Sequence, residues 1–336
     1  MRILLHEYAT GGGSWSDDLL AEKLLDEARA MVRAASGDLS RIPGMELVRL
    51  EDVRLASSIG AAGHVVPIRS ATEEFEQLAG WARRADGTIL IAPETAGRLL
   101  DRCRLVQRSG GRLLSPDAEF VAIASDKHRL GARLTEAGVP TPAAVLIEPG
   151  QSFPATFPLP AVLKPIDGAG SVDTRLVRAA EDVRGRLPCE RPMRLERYCS
   201  GIAASVAALC GPHGPVLLPA GRQIISDDGF CRYLGGEIPL NGALSRRAQQ
   251  LAGRTLAALP PTVGYVGIDM ILGADETGAD DRVLEVNPRL TTSYVGLRGL
   301  AHMNLAEAML AHADGHDAPL TFRPGAIRFD ADGRIW

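Results

Sequence analysis

A strand–loop–helix rhythm through the N-terminal third of the chain is its strongest constraint on folding. Arg2–Leu5 is a short apolar run that stops at His6 and Glu7, and the turn-forming Thr10-Gly11-Gly12-Gly13-Ser14 follows. A helical stretch is expected from Asp17 to about Ala35, with Leu19, Leu20, Leu24 and Leu25 on one face. The pattern then recurs: Glu46–Leu50 reads as a strand, Thr72–Arg84 as a helix, Gly87–Ala92 as a buried strand and Thr95–Arg108 as a helix. Consecutive apolar strands separated by helices call for a parallel sheet with helices on its faces, a Rossmann-like α/β unit.

The texture changes after Ser115-Pro116, which places a boundary between a unit of residues 1–115 and a second of residues 116–336. Helices over Asp117–Ala124 and Lys127–Ala137 end at Gly138-Val139-Pro140-Thr141-Pro142, a run that cannot continue a helix. From Ala143 to Leu218 the chain reads as short strands broken by Pro and Gly, among them Ala161–Lys164, Arg194–Tyr198 and Ala204–Cys210, with one helix at Ala180–Leu187. Longer elements return at Ser245–Leu259 (helix), Tyr265–Leu272 and Arg282–Val286 (strands) and Asn304–Ala313 (helix). The second unit is thus α+β.

Composition narrows the function. The net charge of -4, from 37 basic and 41 acidic residues, gives no footprint for nucleic acid or for an anionic membrane surface. The five cysteines are dispersed without a C-x-x-C pair, so neither a disulfide framework nor a structural zinc site is indicated, and a reducing compartment fits. No apolar run reaches the ~18 residues of a membrane span, and no leader-like apolar core follows the N-terminus. A soluble cytoplasmic protein acting on small molecules is expected, with a homodimer as one option for its assembly.

The chemistry concentrates in Val283-Leu284-Glu285-Val286-Asn287-Pro288-Arg289. On a strand of period two, Glu285 and Asn287 project to one face, so a carboxylate and an amide oxygen stand side by side. Upstream, Asp269 interrupts the otherwise apolar Gly264–Leu272, where an unpaired charge is costly. If these strands pair antiparallel through the turn at Asp275–Asp280, Asp269 meets Glu285 and Asn287. The three would form an incomplete oxygen shell suited to Mg²⁺, which takes its remaining ligands from water and phosphates. Lys164 closes the apolar run Ala161–Leu163, an unusual place for a lysine without an anionic partner, and Lys127 stands at a helix start. Asp167-Gly168-Ala169-Gly170-Ser171-Val172 is a small-residue loop whose N–H groups could wrap phosphates. Leu195–Gly201 reads as an edge segment leading to a turn, where backbone groups and Glu196 could hold an adenine edge.

In this order, the two lysines, the glycine loop, the acidic hinge, the aspartate and Glu-x-Asn resemble the ATP-grasp superfamily over roughly residues 116–310. The resemblance implies a pre-ATP-grasp domain followed by two lobes, about 126–195 and about 196–336, that close on ATP. It implies that Lys127 and Lys164 contact ATP phosphates, that Gly168, Gly170 and Ser171 belong to the phosphate loop, and that Glu196 and Cys199 line the adenine pocket. Asp269, Glu285 and Asn287 would hold two Mg²⁺ ions, with Mn²⁺ as an alternative. In the related D-alanine ligases an arginine lies two residues before the metal-strand aspartate; that position is Gly267 here. Arg289 is the expected replacement, catalytic alongside Lys164; its alternative is an ordinary salt bridge.

A narrower resemblance rests on His6–Gly13, Gly221-Arg222-Gln223, Tyr233–Pro239 and Asn287–Tyr294, which look like the tyramine–glutamate ligase branch of methanofuran biosynthesis. It implies amide formation from a carboxylate and an amine through an acyl phosphate, with Arg222, Gly12 and Tyr294 as candidate substrate contacts. Tyr8, Tyr233 and Tyr294 are equally open to a packing role. Another ATP-grasp ligase, or an ATP-binding sensor without ligation, are the competing readings.

Overall fold

The computed structural model describes residues 1–15, 22–55, 59–183 and 187–336. The N-terminal unit runs β1 (Arg2–Glu7), α1 (Glu22–Leu39), β2 (Glu46–Asp52), β3 (His64–Ile68), α2 (Ala71–Ala82), β4 (Gly87–Ile91) and α3 (Arg98–Arg108). Its sheet has the order β3-β2-β1-β4 and every pairing is parallel. Ser70 caps α2 by accepting the Glu73 N–H at 3.0 Å. β3 escaped the periodicity because its apolar residues are interrupted by Pro67 and half of them face solvent at the sheet edge. The first turn expected for α1, with Leu19 and Leu20, lies outside the described residues; the helix runs on past Ala35 to Leu39, which is fully buried.

Helices α4 (Ala118–Ala124) and α5 (Lys127–Glu136) follow, each capped by an aspartate, Asp117 and Asp126, that accepts N–H groups of the first turn. Strands β5 (Ala144–Ile147), β6 (Ala161–Pro165), β7 (Arg175–Val177) and β8 (Met193–Arg197) form an antiparallel sheet in the order β5-β8-β6-β7. This corrects one expectation. The Glu196 segment is no edge: β8 lies inside the sheet, with Glu196 opposite both Ala144 and Val162. The helix expected at Ala180–Leu187 is a 3-10 turn at Ala180–Val183, and residues 184–186 lie outside the described set.

The remaining strands are β9 (Ile202–Gly211), β10 (Gly214–Leu217), β11 (Gly221–Ile225) and β12 (Tyr233–Ile238), then, after α6 (Gly242–Ala257), β13 (Gly264–Leu272) and β14 (Arg282–Asn287). Helices α7 (Ser293–Leu300) and α8 (Leu305–Ala313) and strand β15 (Ile327–Asp330) complete the chain. These strands build a seven-stranded sheet in the order β14-β13-β9-β11-β12-β15, with β10 on β9. Ala204, Val206 and Ala208 of β9 and Val266, Ile268 and Met270 of β13 pack beneath α6 through Ala248, Leu251 and Ala252. The opposite face joins α1, α7 and α8 in one continuous core containing Leu39, Leu209, Tyr265, Tyr294 and Phe329. The parallel sheet and the seven-stranded sheet are therefore locked together by burial of shared apolar surface. Among the described residues, no helix is long and apolar enough to cross a membrane.

The glycine run after β1 is a packed turn. Gly12 sits at φ +91°, and a Cβ there would stand 2.4 Å from Ile68 Cγ2. Glu7 closes the turn, accepting the Ala9 and Thr10 N–H groups at 3.0 and 2.7 Å. Burial raises the Glu7 carboxyl above its ordinary range, although these bonds oppose the shift. Gly12→Ala should cost about 1–3 kcal/mol in a chemical-denaturation experiment, through overpacking and left-handed strain; wild-type stability would refute this account of the turn.

Candidate active site

A cavity of ≈ 490 Å³ opens between the two antiparallel sheets, with helix α1 at its rim. The antiparallel four-stranded sheet and its glycine loop contribute Lys164, Asp167, Gly168, Gly170 and Ser171 to its wall, and the seven-stranded sheet contributes Asp269, Glu285, Asn287 and Arg289. Lys127 from α5, Glu196 and Cys199 line it too, while Glu27 and Met31 come from α1.

β13 and β14 pair antiparallel, with Asp269 opposite Glu285 and Gly267 opposite Asn287. The pleat puts Glu285 and Asn287 on one side, and the chain past the end of β14 continues this wall through Arg289 and Thr291. Asp269 Oδ2 accepts from Asn287 Nδ2 and Oδ1 accepts from Gln223 Nε2, both at 2.9 Å. Burial and the neighbouring Glu285 charge push the Asp269 carboxyl up to about 8. Burial would also raise Glu285, but the Lys127 and Lys164 charges hold it below the usual glutamate range. Two facing carboxylates of which one resists ionisation form a site that a cation would relieve.

Among the described residues no group of three or more His, Cys, Asp or Glu is arranged to hold a metal. The protein thus offers two carboxylates and an amide, a hard but incomplete donor set. That fits Mg²⁺, which is commonly bound through one or two carboxylates plus substrate phosphates.

Lys127, Lys164 and Arg289 are each held by a carboxylate. Lys127 Nζ lies 3.1 Å from Glu285 Oε2 and donates to the Gly168 carbonyl at 2.9 Å. Burial opposes its charge, yet Glu285 and Glu94 carry its pKa above the ordinary lysine value. Lys164 Nζ is 2.6 Å from Glu196 Oε1, and Glu196 Oε2 accepts from Arg194 Nε at 2.8 Å. The Glu196 carboxylate, expected at the adenine edge, thus sits between Lys164 and Arg194 on the cavity wall. The backbone beyond β8 and Cys199 remain on the cavity wall. Arg289 is held by Glu94, which accepts from Nε at 2.9 Å and from Nη2 at 3.2 Å. Nothing in the sequence pattern pointed to Glu94, because the pair spans 195 positions.

Three of the expected substrate contacts are not on this wall. Arg222 is exposed, and its strand neighbour Gln223 faces the cavity instead, as alternation requires. Gly12 packs on Ile68 as described. Tyr294 is 0 % exposed and its hydroxyl donates to Asp38 Oδ2 at 2.8 Å. Tyr233 does line the cavity, while Tyr8 is buried, its hydroxyl accepting from Arg98 Nε at 2.8 Å.

Comparison with known proteins bears on this geometry. Residues 124–293 match the ATP-grasp domain family and residues 45–121 match the pre ATP-grasp 3 domain. The chain is 25% identical over 248 residues to the tyramine–L-glutamate ligase of Methanocaldococcus jannaschii, covering 74% of this chain and 68% of that protein. It is 28% identical over 198 residues to the carbamoyl phosphate synthase large chain of Thermomicrobium roseum, covering 54% of this chain and 17% of that protein. Its fold superposes on an ATP-grasp superfamily protein from Archaeoglobus fulgidus with a TM-score of 0.73 at 19% identity, covering 98% of this chain and 92% of the other. The N5-carboxyaminoimidazole ribonucleotide synthetase of Thermus thermophilus gives 0.70 at 20% identity, covering 98% and 82%. With the family match spanning half of the sequence and a cavity between sheets lined by lysines and carboxylates, the chain belongs to the ATP-grasp family.

Proposed function

We infer that this protein is an ATP-dependent carboxylate–amine ligase that works through an acyl phosphate. The substrate pair favoured is the side-chain carboxylate of glutamate with tyramine or tyrosine, in methanofuran-type cofactor synthesis in the cytoplasm. The observation that carries the ligase reading is the opening of Lys127, Lys164, Arg289 and the Asp269–Glu285–Asn287 group onto one cavity. The substrate pair is supported by the relatives named tyramine–L-glutamate ligase.

In the first step a carboxylate oxygen attacks the γ-phosphorus of ATP, and the bond to the β-phosphate oxygen breaks to release ADP. In the second, the amine attacks the acyl carbon, phosphate departs with the bonding electrons, and the ammonium proton is lost. Neither step needs a protein nucleophile, so the protein contributes position and charge. Lys164, oriented by Glu196, and Arg289, oriented by Glu94, present fixed positive charge to the γ-phosphoryl oxygens. Lys127 and the N–H groups of Gly168, Gly170 and Ser171 cradle the phosphate chain. Magnesium, held by Asp269, Glu285, Asn287 and phosphate oxygens, would supply the charge that neutralises the β- and γ-phosphates. Cys199 and the backbone after β8 flank the base. Tyr233 and Gln223 are the wall residues best placed for the acceptor.

The test is ADP release with Mg·ATP and glutamate, adding tyramine, tyrosine and other amines singly and weighing the products. Turnover that requires both glutamate and tyramine, with a product mass equal to their sum minus water, is the expected result. Turnover with a different pair would correct the substrates; tight Mg·ATP binding with no turnover for any pair would overturn ligation in favour of a sensing role.

A further inference from the structure

The loop that follows β4 reaches both other parts of the molecule. Glu94 crosses to the seven-stranded sheet, where its two oxygens accept from Nε and Nη2 of Arg289; the two residues are 4 % and 9 % exposed. Two positions on, the Ala96 N–H donates to Asp167 Oδ2 at 2.7 Å, in the glycine loop of the four-stranded sheet. To aim that N–H, Ala96 adopts φ 53°, ψ 29°, a left-handed conformation uncommon for a residue with a Cβ, directly before Gly97 at φ +71°. The loop is anchored behind by Arg98, whose Nε donates to Tyr8 Oη and whose Nη1 donates to the Thr95 carbonyl.

Arg289 Nη1 also donates to the Leu290 carbonyl at 3.3 Å. Of the roughly five N–H groups of a guanidinium, the protein thus engages one on each nitrogen. A bidentate carboxylate fixes the guanidinium plane as well as its position, so the remaining N–H groups have one direction to point. Arg289 borders the cavity, and that direction is available to a ligand.

Resting on the ligase reading above, we propose that Glu94 is a positioning residue: it acts through Arg289, holding the guanidinium toward the transferring γ-phosphoryl group. The same loop, through Ala96, ties the phosphate loop at Asp167 to the parallel sheet. The N-terminal unit then takes part in phosphate recognition without touching the nucleotide.

The experiment titrates Mg·ADP and Mg·AMPPNP, a non-hydrolysable ATP analogue, into wild type, Glu94→Gln, Arg289→Lys and the double variant. If Glu94 acts through Arg289, each single variant binds Mg·AMPPNP about tenfold or more weakly, since orienting partners of this kind are worth about 10–100-fold. Mg·ADP, which lacks the γ-phosphate, stays within about twofold of wild type, and the double variant is no weaker than Arg289→Lys. Wild-type affinity for Mg·AMPPNP in Glu94→Gln, equal losses for both nucleotides, or losses that multiply in the double variant would each overturn the proposal. Circular dichroism checks folding. If Glu94→Gln does not fold, Glu94→Asp, which keeps the charge but shortens its reach, is read by the same criteria. Because these titrations need no turnover, absence of ligation would sink the substrate reading while leaving Glu94 to be judged on nucleotide affinity.

Discussion

Glu285→Gln should lower ADP release by about 10³-fold, the upper end of what loss of one preorganised electrostatic partner at a transition state costs. Glu285 does three things at once. It belongs to the incomplete oxygen shell with Asp269 and Asn287, its Oε2 lies 3.1 Å from Lys127 Nζ, and its charge helps drive the Asp269 carboxyl up to about 8. The isosteric amide keeps the shape and removes the charge, so folding should survive while the cation site weakens. The sign of the pH dependence follows from Asp269. A carboxyl with a raised pKa is protonated at neutral pH, and a cation that binds its ionised form must displace that proton. Mg·ATP affinity of the wild type should therefore tighten as pH rises toward about 8, with proton uptake by buffer visible in calorimetry. In Glu285→Gln the like charge is gone, Asp269 ionises at lower pH, and the same rise should move downward. Near-wild-type turnover in Glu285→Gln, or affinity that falls with rising pH, would show that these residues do not hold the metal.

Lys164→Ala should lower kcat by about 10²–10³-fold with a smaller change in KM for ATP. Lys164 is the penultimate residue of β6, with a side chain only 8% exposed, and Glu196 on the neighbouring strand β8 lies 2.6 Å from it. Removing a buried cation normally leaves an unpaired carboxylate, a severe loss. Here Arg194 donates to the other oxygen of Glu196 at 2.8 Å, so the anion keeps a partner and the sheet should fold. Steady-state kinetics beside a thermal melt separate the outcomes: a large fall in Tm with kcat intact would make Lys164 a structural ion pair and nothing more.

Much of this was legible in the linear chain, and the reasons are local. β1, β2 and β4 announced themselves as apolar runs bounded by turns, because parallel strands are buried on both faces. The pairing of Asp269 with Glu285 followed from two apolar strands joined by a turn, since a short connection between neighbouring strands favours antiparallel contact. Strands with mixed exposure were harder. β3, at a sheet edge with Pro67 inside it, and β11 and β12, with glycines and exposed residues, carry no clean alternation. Helix α7 is short, and its sequence carries no clear helical signal.

Sequence alone placed Glu285 and Asn287 on a common face, because side chains alternate along a strand; Arg289 lies just past the end of β14. What sequence could not determine is which charges are committed and to whom. Glu94 meets Arg289 across 195 positions, Tyr294 is claimed by Asp38 across 256, and Glu196 on β8 pairs with Lys164 on the neighbouring β6. Such pairings depend on how sheets pack against one another, and that packing is decided by apolar surface spread over the whole chain. Only the tertiary structure could therefore separate Gln223 from Arg222, or make Glu94 part of the site.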